Sequence, residues 1–112
     1  MPIFRPFDVV AAPFPYVERP VVRRRPCLVI ATPAHSNLVW VLMITSAVNA
    51  RWPGDVMLRG LDQAGLKSPS VVRTAKIATI ETDILKQIGH INPQDTEDVL
   101  AQLRDHLPSS IR

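Results

Sequence analysis

Three arginines run directly into a proline and then into an apolar stretch: Arg23-Arg24-Arg25-Pro26-Cys27-Leu28-Val29-Ile30. A guanidinium is a planar fork of donors that fits phosphate oxygens two at a time. Cys27 to Ile30 read as a buried strand, which fixes the backbone from which Arg25 projects. Pro26 has no N–H and a locked φ, so it belongs at a strand start or edge. Arg25 is thereby held at the rim of the core, open to something anionic outside it. A solvated basic loop is the plainer reading of the same eight residues. The rest of the chain decides between them.

Nine prolines from Pro2 to Pro69 break up the first seventy residues and exclude long helices there. Between them the chain reads as short strands. Phe7–Ala12 is a first strand, and residues 14–24 form a long loop. Cys27–Thr32 is a second strand, apolar enough to be buried on both faces. Pro33–Asn37 makes a hairpin connection to a third, Leu38–Thr45. After a loop from Ser46 to Pro53, Gly54-Asp55 introduces a short fourth strand, Val56–Arg59. Gly60 to Gly65 is a turn or a short helical turn. Ser70–Thr74 and Lys76–Ile80 are strand-like again and bend near Ala75. Thr82–Ile88 is expected to form a short helix stopped by Gly89. Asn92-Pro93-Gln94-Asp95 is a helix start with an Asn cap, proline first and an acid in the first turn. Val99, Leu100, Leu103 and Leu107 then mark one apolar stripe, and Pro108 ends the helix.

Many short strands followed by one amphipathic helix predict a mainly β (α+β) fold, a small barrel or strongly curved sheet carrying a C-terminal helix. At 112 residues this is a single domain, 1–112. A core of that size leaves strand edges that a symmetric dimer can cover. Residues 1–60 hold seven arginines against three acids, whereas residues 61–112 hold six basic and seven acidic side chains. The positive excess is therefore all arginine and all N-terminal, a pointer to a polyanionic partner. One cysteine, Cys27, permits no internal disulfide and fits a reducing compartment. It reads as a small buried hydrophobe rather than a nucleophile. The start of the chain is not a signal peptide, and the longest apolar run, Leu38–Ile44, is too short for a bilayer. A cytoplasmic protein with no membrane association is expected.

Several segments in order carry a resemblance. They are Phe7-Asp8-Val9-Val10, Pro13-Phe14-Pro15, Arg24-Arg25-Pro26-Cys27-Leu28-Val29-Ile30 and Ile44-Thr45-Ser46. Gly65-Leu66-Lys67-Ser68-Pro69-Ser70-Val71-Val72-Arg73, Lys76-Ile77-Ala78-Thr79-Ile80 and Ile88-Gly89-His90-Ile91 follow. Together they resemble the MazF/PemK-type toxins of bacterial toxin–antitoxin pairs over nearly the whole chain. The resemblance implies an SH3-like barrel, a homodimer, and a metal-independent, sequence-specific endoribonuclease acting on single-stranded RNA without a cofactor. It also implies a cognate antitoxin that lays an acidic tail over the active groove.

On that resemblance Arg25 and Thr45 are the catalytic residues. Arg25 would clamp the phosphate and stabilise the transition state, and Thr45 would donate to a phosphoryl oxygen. A hairpin sets the start of one strand beside the end of the next, which is a separate reason to pair them. Arg23, Arg24, Ser46, Trp52, Arg73 and Tyr16 are the RNA-binding candidates. Trp52 either stacks a base or packs with Pro53 against the barrel. Trp40 is read as core or dimer interface. Relatives often carry an acid two residues after the arginine that matches Arg73; this chain has Ala75. A relative that binds RNA or antitoxin without cutting therefore stays open. A gyrase-poison type of toxin on the same fold is the third reading, though the Leu107–Arg112 tail does not resemble theirs. His35 is expected at the far hairpin turn. Neither His90 nor His106 has a partner at ligand spacing, and no metal site is read.

Overall fold

Alternating apolar residues on both faces of the second and third strands dictate the architecture, because each face must find its own core. The computed structural model describes residues 3–13, 24–50 and 52–111. Six strands form one antiparallel sheet: β1 (Asp8–Pro13), β2 (Arg24–Ala31), β3 (Leu38–Ser46), β4 (Asp55–Met57), β5 (Ser70–Glu81) and β6 (Lys86–His90). Their spatial order is β4-β5-β3-β2-β1-β6. One helix, α1 (Pro93–His106), closes the chain.

On one face Val10, Cys27, Val29, Val41 and Met43 pack together under Phe4 and Leu85. On the other face Val9, Leu28, Leu42, Ile44, Val56 and Val72 pack under the Leu58–Leu66 segment and Val99 of α1. The mainly β reading with a C-terminal helix is thus borne out. The sheet curls but does not close, since no ladder joins β4 to β6 among the described residues. β4 is only three residues long. The Gly60–Leu66 turn fills the gap instead and seats on β6, where His90 N donates to the Gln63 carbonyl at 2.9 Å.

Two expectations change. Thr82–Ile88 is not a helix: a single 3-10 turn (Thr82–Ile84) leads into β6. Leu85 is buried under the sheet, and Lys86 and Gln87 pair with Ala11 and Val10 of β1. The ladder thus takes a segment too short to hold a helix of its own. Second, the two strand-like pieces flanking Ala75 are one strand, β5, with a bulge. Arg73 faces Met43 but the next paired residue, Ile77, faces Leu42, so residues 74–76 arch out of the ladder.

The start of α1 forms as its residues dictate, with Asn92 Oδ1 accepting from Asp95 N at 2.8 Å. Asp95 itself is fully buried and accepts from Arg59 N and Gly60 N, which pins the helix to the segment after β4. Of the predicted stripe, Val99 is buried, Leu100 and Leu103 are half-buried, and Leu107 is 40% exposed. No described helix is long and apolar enough to cross a membrane.

Candidate active site

β2 and β3 pair antiparallel with Cys27 opposite Met43. Arg25 lies two residues before Cys27 and Thr45 two residues after Met43, so both lie at the same end of the β2–β3 ladder. Both then belong to the face that holds Val10, Cys27 and Met43. On its other side Arg25 pairs with Ala12 of β1, and it is half-buried. Alternation turns Arg24 and Ser46 to the opposite face. Arg24 is exposed. Ser46 Oγ accepts from Val48 N at 3.4 Å and caps the 3-10 turn Ala47–Asn49. Arg23 and Tyr16 lie outside the described residues.

Thr45 is 5% exposed and its Oγ1 accepts from Asn49 Nδ2 at 3.1 Å. With a lone pair filled this way, the hydroxyl keeps its own hydrogen to donate. Asn49 is anchored in turn, because its carbonyl accepts from Arg73 Nη2 at 2.7 Å. Arg73 lies in the wall rather than on the surface. Its Nε and Nη2 form a two-point ion pair with Asp55, and both side chains are under a tenth exposed. The Trp52 ring stacks over this guanidinium, 4.6 Å from its carbon to the ring centroid. Trp52 is 43% exposed, so part of the indole stays in solvent. Asp55, Arg73 and Met43 occupy one cross-sheet row, two positions along the strands from the row of Thr45 and Val71.

The result is a bonded chain, Asp55–Arg73–Asn49–Thr45. Sequence reasoning missed Asn49 and Asp55. Asn49 sits four residues past Thr45 in a capped turn, and the Ser46–Asn49 spacing was the available signal. Asp55 was read only as introducing the fourth strand, since its pairing with Arg73 needs the β4–β5 register. Ala75, in the bulge of β5, lines an apolar groove of about 510 Å³ with Trp40, Ile77, Leu103 and Leu107.

The histidines stand apart from Thr45. His35 is exposed in the hairpin turn with φ 59°. His90 Nδ1 meets Asp8 Oδ1 at 3.0 Å, and His106 Nε2 meets Thr74 Oγ1 at 2.8 Å. Each partner comes from a distant part of the chain. Burial pushes the Cys27 thiol up to about 12 and keeps it protonated at neutral pH, as expected of an inert core residue.

A six-stranded antiparallel sheet carrying one C-terminal helix is a fold with solved counterparts. Solved structures of this fold include a MazE–MazF complex from Deinococcus radiodurans, with TM-score 0.71 at 18% identity over 95% of this chain and 96% of that one. Another is the toxin MazF-mt6 of Mycobacterium tuberculosis, with TM-score 0.66 at 24% identity over 90% and 94%. A third is an endoribonuclease from a mycobacterial species solved with its cognate antitoxin, with TM-score 0.70 at 18% identity over 92% and 95%. A comparison with curated protein sequences returns no match. The chain belongs to the PemK-like, MazF-like toxins of type II toxin–antitoxin systems, whose family model matches residues 5–107.

Proposed function

We propose that this toxin is a metal-independent endoribonuclease that cuts single-stranded RNA at preferred sequences, and that Arg25 and Thr45 carry the chemistry. RNA supplies its own nucleophile, the 2′-OH. The protein must align it with phosphorus and stabilise charge on the phosphoryl oxygens. Arg25 offers a permanent cation, and Thr45 offers a hydroxyl hydrogen. An arginine is a poor general base because its pKa exceeds ~12. Its role is therefore to hold the phosphate and to assist departure of the 5′-oxygen. The observation that carries the reading is the Asn49 amide bonded to Thr45 Oγ1, which leaves that hydroxyl as a donor on the face that Arg25, the second residue of β2, shares by alternation. Arg24 and Trp52 are exposed enough to contact RNA beyond the scissile phosphate. Arg73 contributes from within the wall.

Two copies of the chain pair through the apolar groove in this reading. Trp40 and Ile77 are 45% and 56% exposed beside Leu107. An acidic antitoxin tail gains little on so apolar a face, whereas a second copy of the same face buries it. The acidic tail fits the arginine rim instead, in competition with RNA. The site of action is the cytoplasm, where messenger RNA is.

The purified protein should cut RNA and not DNA in EDTA, leaving a 2′,3′-cyclic phosphate. Arg25→Ala and Thr45→Ala should both remove cleavage. Intact RNA after long incubation would overturn the reading. A silent relative is the alternative that Ala75 supports, and RNA bound but uncut by the wild-type protein would select it.

A further inference from the structure

We propose that Asn49 is a positioning residue for the Thr45 hydroxyl, presented by the Arg73–Asp55 pair, and that it makes Thr45 a hydrogen-bond donor toward RNA. The inference rests on the RNA-cleavage reading and adds to it a residue whose only task is orientation. A threonine hydroxyl rotates freely unless a neighbour fixes it. Here Asn49 Nδ2 donates into Oγ1 at 3.1 Å, so one lone pair is filled and the hydrogen is directed away. The amide adds no charge and does not compete with Arg25 for the phosphate.

An exposed asparagine cannot by itself hold such an angle. Asn49 is exposed, but its backbone carbonyl is gripped by Arg73 Nη2 at 2.7 Å. Arg73 is in turn immobilised by both oxygens of Asp55 and by the Trp52 ring. The turn's other end is fixed by Ser46 Oγ on Val48 N, and by Ala47 N on the Pro69 carbonyl at 2.9 Å. These bonds fix the backbone from which the Asn49 side-chain amide reaches Thr45. The buried ion pair thus acts on the reaction through Asn49, without itself reaching the phosphate.

The polarity of the Asn49–Thr45 bond makes the idea testable. Asn49→Asp leaves a side chain that only accepts, so it takes the Thr45 hydrogen for itself. The probe is a long single-stranded RNA of mixed sequence in EDTA, with the rate read at saturating RNA and the half-saturating concentration read separately. Asn49→Ala should lower the saturating rate about tenfold and leave half-saturation unchanged, as expected of one orienting bond. Asn49→Asp should fall below Asn49→Ala. In a Thr45→Ala background, Asn49→Ala should change nothing, whereas in Thr45→Ser it should cost what it costs in the wild type. The ranking of the two Asn49 variants gives the same test where Thr45→Ala cuts too slowly to measure. Wild-type rates from Asn49→Ala, equal losses with and without the Thr45 hydroxyl, or Asn49→Asp outrunning Asn49→Ala would each overturn the relay. A wild-type protein that cuts no RNA would overturn the nuclease reading itself, a separate and distinguishable result.

Discussion

Arg73 and Asp55 face each other across the β4–β5 ladder and close two bonds, Nε to Oδ1 at 3.2 Å and Nη2 to Oδ2 at 3.0 Å. Removing one partner leaves the other's charge buried, a loss of ~3–5 kcal/mol. Asp55→Ala should lower unfolding free energy in urea by that order. The double variant Asp55→Ala with Arg73→Met should recover much of it, because no charge is then stranded. The double variant should still cleave slowly, since Asn49 has lost its anchor. Equal stability of Asp55→Ala and the wild type would show that the pair carries no load.

How much of this was legible beforehand differs by residue. The strands were readable because β-branched runs and prolines mark them, and Asn92-Pro93 announces α1. The placement of Arg25 and Thr45 at one end of the β2–β3 hairpin was readable because a hairpin fixes which strand ends are neighbours. Arg73 was named as an RNA-binding candidate, but its ion-pair partner was not foreseen. Asp55 lies 18 residues away on another strand, and only the register tells which residue faces which. The same distance hid Asp8 behind His90, 82 residues apart. Thr82–Ile88 misled for the opposite reason. Local helix signals looked complete, and pairing with β1 outweighed them.

Asp95 was read as a favourable charge at a helix start, yet it is fully buried and accepts from Arg59 N at 3.1 Å and Gly60 N at 3.2 Å. Asp95→Ala would strand two backbone donors at ~1–3 kcal/mol each. Its midpoint in thermal unfolding should fall, and exchange of the Arg59 and Gly60 amides should speed up selectively. Asp95→Asn should fall between, because it keeps an acceptor oxygen. Unchanged exchange at those two amides in Asp95→Ala would refute the pinning role.

The turn that fills the open side of the sheet depends on Gly65. It has φ +73°, and a Cβ there would drive into the Ile88 carbonyl. Left-handed backbone costs a non-glycine residue roughly 1–2 kcal/mol before any clash. Gly65→Ala should therefore destabilise by more than that and loosen the His90–Gln63 contact. Gly60, with an ordinary φ and only the Asn92 side-chain amide in the way, should tolerate alanine better. Denaturant midpoints of the two variants give the comparison directly.

Cys27 predicts a difference at alkaline pH. Its thiol is pushed up from 9.0 to about 12 by burial. Below pH 9 both folded and unfolded states keep the proton, and the thiol favours neither. Between pH 9 and 12 the unfolded chain releases it while the folded one does not, so stability falls as pH rises. Cys27→Ala should show a shallower decline over that window than the wild type. Native Cys27 should also resist thiol reagents at pH 8 until the protein unfolds. Rapid labelling of the folded protein would contradict the burial.

Thr74 and His106 join the end of α1 to the turn before β4. The Thr74 hydroxyl has one hydrogen, and it goes to the Gly54 carbonyl at 2.7 Å. The 2.8 Å contact with His106 Nε2 must therefore be donated by the imidazole. Both the Nε2–H tautomer and the imidazolium can donate there, so the contact survives protonation of the ring. Nitrogen shifts of the neutral His106 ring should report the Nε2–H tautomer. Thr74→Val deprives the Gly54 carbonyl of its donor and should cost ~1–3 kcal/mol. His106→Ala leaves the Thr74–Gly54 bond intact and should cost less, about 0.5–1.5 kcal/mol. The order is the test. If His106→Ala proves the more damaging in urea unfolding, the imidazole is the structural keystone and the threonine follows it.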